Sequence, residues 1–300
     1  MLDYHVHLWP HEEKANEREL HLERLALYCE QASRRGVSEI ALTEHFFRFR
    51  QGREVVDRFW RDEPNPTLRE FIAGYFDHHA TADLDAYVQA VCDARAAGLP
   101  VVAGLEVDYY PGRMDGVAAL LDGYPFDVLL GSVHWLGCWM FDVIGEAIEE
   151  AEWESRGVAE AWRQYGEALA ELAGTGVADV LAHPDLVKVA GRWPDAGVVR
   201  EVEERIADAA ASSGMAAEIS SAGLAKPAHE IYPSANLLRL FAAKGVPVTT
   251  ASDSHGPWEV ADGSALLHRT AVRAGYASLR AFRRRVGADV PIGPEPRVVA

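Results

Sequence analysis

The sequence predicts an α/β fold in which seven parallel strands close into a barrel. Three observations carry that prediction. Helical and strand-like segments alternate along the whole 300 residues, the repetition that builds a parallel sheet. Seven short apolar runs stand at the strand positions with no obvious edge strand among them, which favours a closed barrel over an open sheet. Six of the seven end in His, Asp or Glu, and the C-terminal ends of barrel strands are where catalytic groups gather in such folds.

The elements follow in order. The chain enters a strand at once, ending in His5-Val6-His7. Leu22, Leu25, Ala26, Cys29 and Ala32 recur at helical spacing within Leu20 to Arg35, and Gly36 stops that helix. Val37 to Leu42 is the second strand, running into Thr43-Glu44-His45. Residues 46–80, rich in Arg, Phe, Asp and Trp, form an insertion expected to cover the barrel mouth as a lid. Asp83 to Ala97 is a helix closed by Gly98, and Val101 to Val107 is a strand that carries Glu106. Phe126 to Val133 precedes His134, one long helix covers Glu146 to Leu172, and Val177 to Ala182 precedes His183. Helices at Val198 to Ala211 and Asn236 to Ala243 feed strands at Met215 to Ile219 and Val246 to Ala251. The last run ends in Ser252-Asp253-Ser254-His255. Beyond it the pattern reads as helical to about Val286, with an irregular tail around Pro291, Pro294 and Pro296. Nothing resembles a linker or repeat, so residues 1–300 are expected to form a single domain.

Composition narrows the function. The formal charge of −17 argues against nucleic acid as the main partner, because phosphate backbones attract basic surfaces. A small anionic substrate remains compatible, since a local metal cluster reverses the field. Three cysteines, Cys29, Cys92 and Cys138, provide neither a disulfide framework nor a Cys-rich zinc site. With no basic-then-apolar leader and no 18-residue apolar span, the chain reads as a cytoplasmic protein without a membrane partner. Its oligomeric state is left open.

The strand ends carry the chemistry. Side chains alternate along a strand, so His5 and His7 point to one face. Alone, a His-x-His at a strand end is an ordinary polar pair; with an Asp-x-His at the end of the last strand it becomes half of a metal site. Glu106 offers two oxygens that can bridge two cations, and Asp108 reaches the same side from behind. His134 and His183 stand at equivalent strand ends, His45 and His255 form a further group, and His11 joins them if its loop folds over the mouth. His21, His78, His79, His229 and His268 are left outside the site, with His229, in the loop after the sixth strand, the first candidate among them for a substrate contact. Nine candidate ligands exceed the four of a closed zinc site. They suit two or three divalent ions, with zinc, iron or manganese favoured by imidazole and carboxylate donors.

The ordered set Asp-Tyr-His-Val-His, Leu-Thr-Glu-His, Gly-Leu-Glu-Val-Asp-Tyr-Tyr-Pro-Gly, Gly-Ser-Val-His, Ala-His-Pro-Asp-Leu-Val-Lys and Ser-Asp-Ser-His resembles the PHP (polymerase and histidinol phosphatase) superfamily. The stretch from Glu218 through Lys226-Pro227 to Glu230-Ile-Tyr-Pro-Ser is similar to its histidinol-phosphatase branch. The resemblance spans Asp3 to His255. It implies a distorted (β/α)7 barrel with a trinuclear centre: His5, His7, Glu106 and Asp253 on the first ion, Glu106, His134 and His183 on the second, and His45, His255 and His11 on the third.

The expected reaction is hydrolysis of a small phosphate monoester, with L-histidinol phosphate as the best substrate. The ions would ionise the attacking water and spread phosphoryl charge. His255, beside Asp253, or a metal-bound water is expected to help protonate the leaving alkoxide. Arg192 and Lys226 are candidate phosphate clamps, and Trp9, Tyr110 and Trp135 candidate pocket walls. The competing readings are a phosphoesterase for another small phosphate, a non-catalytic metal-binding module, and a barrel amidohydrolase. Amidohydrolases commonly rely on a bridging carbamylated lysine, and here no Lys ends a strand.

Overall fold

The computed structural model describes residues 1–57, 59–61 and 63–296. Seven strands form one parallel sheet: β1 (Leu2–Val6), β2 (Glu39–Leu42), β3 (Val101–Asp108), β4 (Val128–Ser132), β7 (Val180–Leu181), β8 (Ala216–Ser220) and β9 (Val248–Ala251), hydrogen-bonded in that order. Two short strands, β5 (Trp135–Leu136) and β6 (Trp139–Met140), make a hairpin after β4. The sheet nearly closes on itself. Beyond β9 the Asp253 N–H donates to the His5 carbonyl at 2.9 Å, and the His7 N–H donates to the Ser254 carbonyl at 2.8 Å. The Thr250 hydroxyl donates to the Leu2 carbonyl at 2.6 Å. These bonds fasten the last barrel strand to the first.

The helices are α1 (Leu22–Arg34), α2 (Arg50–Val56), α3 (Pro66–His79), α4 (Leu84–Ala96), α5 (Met114–Leu121), α6 (Ala147–Arg156), α7 (Val158–Thr175), α8 (Ala196–Ser213), α9 (Ala235–Ala243) and α10 (Ser264–Arg273). Their ends obey local chemistry. Asp83 caps α4 by accepting from the Asp85 N–H, and Ser234 caps α9 by accepting from the Leu237 N–H. Asn65 accepts from Thr67 with Pro66 opening α3. Leu25 and Tyr28 of α1, Tyr87 and Val91 of α4, Leu169 of α7 and Ile206 of α8 bury their apolar faces in one continuous core with the strands.

Three features depart from the sequence reading. The long helix expected over Glu146 to Leu172 is two helices, because Gly157 takes φ +80° between α6 and α7. Helix α5 joins β3 to β4 where the sequence reading assigned no element. The segment expected to be helical to Val286 leaves α10 at Arg273 and forms an antiparallel hairpin, β10 (Ser278–Arg283) with β11 (Val286–Pro291). Leu279 and Phe282 of that hairpin pack in a core cluster with Leu2 and Tyr4. Among the described residues no helix is long and apolar enough to cross a membrane.

Candidate metal centre

The seven barrel strands deliver their terminal side chains to one place. On β1, period-two alternation puts Asp3, His5 and His7 on a common face. Asp3 serves closure, accepting from the Ser252 N–H, the Ser252 hydroxyl and the Ala261 N–H. His5 and His7 are fully buried at the barrel end. On β3, Gly104, Glu106 and Asp108 share a face. A Cβ at Gly104 would come within 2.8 Å of Thr43 Cγ2 and 2.9 Å of the Val128 carbonyl. The glycine therefore lets three strands close tightly beneath Glu106.

Glu106 is the hub. Its Oε1 lies 2.9 Å from His183 Nε2 and 3.4 Å from His134 Nε2. Its Oε2 lies 2.6 Å from His45 Nδ1, 3.4 Å from His5 Nε2 and 3.7 Å from His7 Nε2. Each oxygen thus faces a different set of imidazoles. Asp253 Oδ1 completes one side, 3.3 Å from His7 Nε2 and 3.6 Å from His5 Nε2. His255 Nε2 stands 3.4 Å from His45 Nε2, and its ring stacks on His7 at 4.2 Å. Four sets of converging ligand atoms result: His5, His7 and Glu106; His5, His183 and Asp253; Glu106, His134 and His183; and His7, His45 and His255.

Carboxylates behind the rings fix which nitrogen faces inward. His5 Nδ1–H donates to Glu218 Oε2 at 2.9 Å, and His134 Nδ1–H donates to Asp108 Oδ1 at 2.6 Å. His7 Nδ1 lies 3.5 Å from Glu44 Oε1, and Arg48 Nε holds the same oxygen at 3.1 Å. In each case Nε2 is left for the centre, the tautomer that a ligating imidazole needs. His5 Nε2 and His7 Nε2 are buried without a hydrogen-bond partner among the described residues. Orphaned donors and acceptors of this kind are costly, and divalent cations satisfy both of them together. The cluster fits a metal site.

Electrostatics agree. Burial opposes charge on Glu106, yet His134, His5 and His45 outweigh it and hold the carboxyl well below its usual range. Burial likewise opposes charge on Asp253, and His5, His7 and His255 outweigh it. On His5 burial is overcome by Glu218, Asp253 and Glu106, which hold its pKa well above the usual value. On His134 burial is overcome by Asp108 and Glu106, which push it up to about 10. Burial, with positive neighbours, drives His45 and His255 well below the usual imidazole range. His183 and Asp253 hold φ of 24° and 56°, sparsely populated for non-glycine residues and typical of functional positions.

Each expected site residue has a definite place. His5, His7, His45, Glu106, His134, His183, Asp253 and His255 converge. His11 is exposed on the lip of the cavity and stacks on His255 at 3.5 Å, outside the four converging sets. Lys226 lines a cavity of about 490 Å³ that opens over the cluster. Arg192 is placed elsewhere, which corrects its assignment as a phosphate clamp. Its guanidinium pairs with Glu150 and lies 5.6 Å over the Trp153 ring, and it is not among the cavity-lining residues. Trp9, Tyr110 and Trp135 are buried in the core, and the aromatic wall belongs instead to Phe47, Phe71, Tyr75 and Tyr232. The sequence reading assigned no role to Glu44, Glu218 or Asp142. Glu218 was reachable, since it lies two residues before Ser220 on the same strand face. Glu44 and Asp142 carried no such signal.

A nearly closed parallel barrel with a carboxylate hub between two sets of imidazoles at its strand ends defines a metal-site barrel of the hydrolase type. The chain belongs to the PHP domain family, whose model matches residues 22–222. A Deinococcus radiodurans protein described as a probable histidinol-phosphatase is 32% identical over 234 residues, 78% of this chain and 80% of the relative. Two solved structures share the fold. The Lactococcus lactis histidinol phosphate phosphatase, solved with zinc, L-histidinol and phosphate, has a TM-score of 0.66 at 22% identity and covers 96% of this chain and 98% of its own. A Listeria monocytogenes protein solved as a candidate histidinol phosphatase has a TM-score of 0.69 at 20% identity, covering 89% and 99%.

Proposed function

We propose that this chain is a metal-dependent phosphatase that converts L-histidinol phosphate to L-histidinol and phosphate. The observation that carries the reading is Glu106, one oxygen toward His134 and His183 and the other toward His5, His7 and His45. A carboxylate so placed suits a bridge between two cations, and His45 with His255 suits a third. The eight converging donors would serve as ligands, and His11, stacked on His255, would join the third ion if its loop closes over the mouth, with zinc, iron or manganese the fitting metals. When bound, such ions act as Lewis acids toward phosphoryl oxygens and make water acidic enough to ionise near neutral pH.

The chain's own residues do the rest. Glu44, Asp108 and Glu218 orient His7, His134 and His5. Lys226 offers a point charge to the phosphoryl group at the cavity wall. Return of a proton to the leaving alkoxide falls to solvent in the open cavity, because burial and positive neighbours hold His255 well below the usual imidazole range and it serves as a ligand. Phe47, Phe71 and Tyr75 lie in the 46–80 segment and line the cavity. That supports its reading as a lid over the site of a single 1–300 domain. The family match, and the activity ascribed to the Deinococcus relative, support the substrate. Histidine biosynthesis, and a cytoplasmic location with it, follow from that substrate.

The test is a phosphate-release panel with metal-loaded protein. L-histidinol phosphate should exceed other small phosphate monoesters in kcat/KM by at least about a hundredfold. Equal rates across the panel would leave a phosphatase of another specificity.

A further inference from the structure

Lys226 stands on a long loop, residues 221–234, between β8 and α9. Two hydrogen bonds close the base of that loop. The Ser220 N–H donates to the Tyr232 carbonyl at 2.6 Å, and the Tyr232 N–H donates to the Ser220 carbonyl at 3.0 Å. Lys226 lies beyond this base, on the cavity wall. His229, between Lys226 and Glu230, holds φ of 50°. Non-glycine residues populate that conformation sparsely, and it persists where neighbours fix it. The position of Lys226 therefore depends on what holds residues 229–231.

Lys188 holds them. It ends a short 3₁₀ turn, Leu186–Lys188, after β7, and it is fully buried. It is not among the residues that line the cavity. A buried ammonium is costly unless its N–H groups are paired. Lys188 Nζ has an acceptor for each of its three N–H groups: Asp185 Oδ2 at 2.9 Å, Glu230 Oε2 at 3.1 Å and the Ile231 carbonyl at 2.8 Å. Glu230 and Ile231 belong to the loop after β8. Asp185 Oδ2 also accepts from the Ser234 N–H at 2.7 Å, where that loop ends. One buried cation thus ties the loop after β7 to the loop that carries Lys226.

We infer that Lys188 is a positioning residue: through Glu230 and Ile231 it fixes the loop after β8 so that Lys226 meets the phosphoryl group. This rests on the phosphatase reading, in which Lys226 offers that charge, and deepens it. Lys188 lies outside the cavity and acts on phosphate only through Lys226. A buried ion pair that served stability alone would change phosphate binding by the same factor with or without Lys226. One that acts through Lys226 loses its effect once Lys226 is gone, because coupled residues are not additive.

The experiment is a double-mutant cycle on the metal-loaded protein, read as the calorimetric Kd of inorganic phosphate with metal content measured beside it. Lys226→Ala should weaken phosphate about tenfold and Lys188→Met about fivefold, both at unchanged metal content. Added to Lys226→Ala, Lys188→Met should change Kd by less than about twofold. An unchanged Kd in either single variant, the same factor for Lys188→Met in both backgrounds, or a fall in metal content overturns the inference. Glu230→Gln breaks the tie from its half-exposed end and decides the case if Lys188→Met does not fold. Weakening of about threefold that vanishes beside Lys226→Ala supports the inference. No weakening, or the same weakening in both backgrounds, overturns it. Turnover judges the phosphatase reading separately. Phosphate binding that follows the cycle, with no phosphate ester hydrolysed, overturns that reading and leaves Lys188 in its role.

Discussion

Glu106 does with two oxygens what no other residue of the site can do, since each oxygen has its own imidazoles. Glu106→Gln replaces one acceptor by a donor facing those rings. Metal content and phosphatase activity should fall together by at least about a hundredfold, checked by elemental analysis alongside phosphate release. Unchanged values for both would remove Glu106 from the centre. Lys226 is exposed and lines the cavity. Lys226→Ala should raise KM roughly tenfold while metal content stays constant. The ligands were legible because strand alternation and strand-end position fix where a side chain goes. Arg192 was not, because its partner Glu150 lies 42 residues away and on another element. Asp142 follows the small β5–β6 hairpin, whose position nothing local in the sequence announces.

At the scale of elements, Arg48 ties the start of the 46–80 segment to the loop after β1. It is fully buried, pairs with Glu44 at 3.1 Å, and donates to the Glu13 and Pro10 carbonyls, each at 2.7 Å. That loop carries His11. Arg48→Met leaves Glu44 buried without its cation and should cost about 3–5 kcal/mol, measured by denaturant unfolding of the metal-free protein. A loss under about 1 kcal/mol would show that the pair is dispensable. Helices with capping residues and a clear apolar stripe, such as α1 and α4, were read to within two residues. The β10–β11 hairpin was missed for a physical reason. Its turn residues Arg284 and Arg285 both take positive φ, 48° and 65°, with no Gly or Asn to announce it. Tertiary bonds hold that turn, the Arg284 N–H to Asp127 Oδ1 at 3.1 Å and the Arg285 N–H to the Asp127 carbonyl at 2.8 Å.

Over the whole molecule, the closure of β9 on β1 is what brings positions 5 and 253 together. The strand–helix alternation foretold that closure, and the strand-end His, Asp and Glu pattern foretold the cluster. The relative placement of rings and acids needed the fold. Metal and protons compete for the cluster. Neighbouring carboxylates overcome burial and hold His5 well above the usual imidazole value and His134 up at about 10, so the metal-free protein keeps protons on these two rings near neutral pH. A cation must displace them, and affinity therefore rises with pH. Zinc affinity should increase by about tenfold per pH unit for each proton displaced between about pH 6 and 8, with proton release visible by calorimetry in buffers of different ionisation enthalpy. A flat profile would mean that these rings do not ligate.

Anomalous diffraction from crystals of the metal-loaded protein tests the central claim most directly. The account predicts an ion on each side of the Glu106 carboxylate, each about 2.0–2.2 Å from its own oxygen, one with His5, His7 and Asp253 and the other with His134 and His183. Ions bound elsewhere, with both Glu106 oxygens uncoordinated, would contradict it.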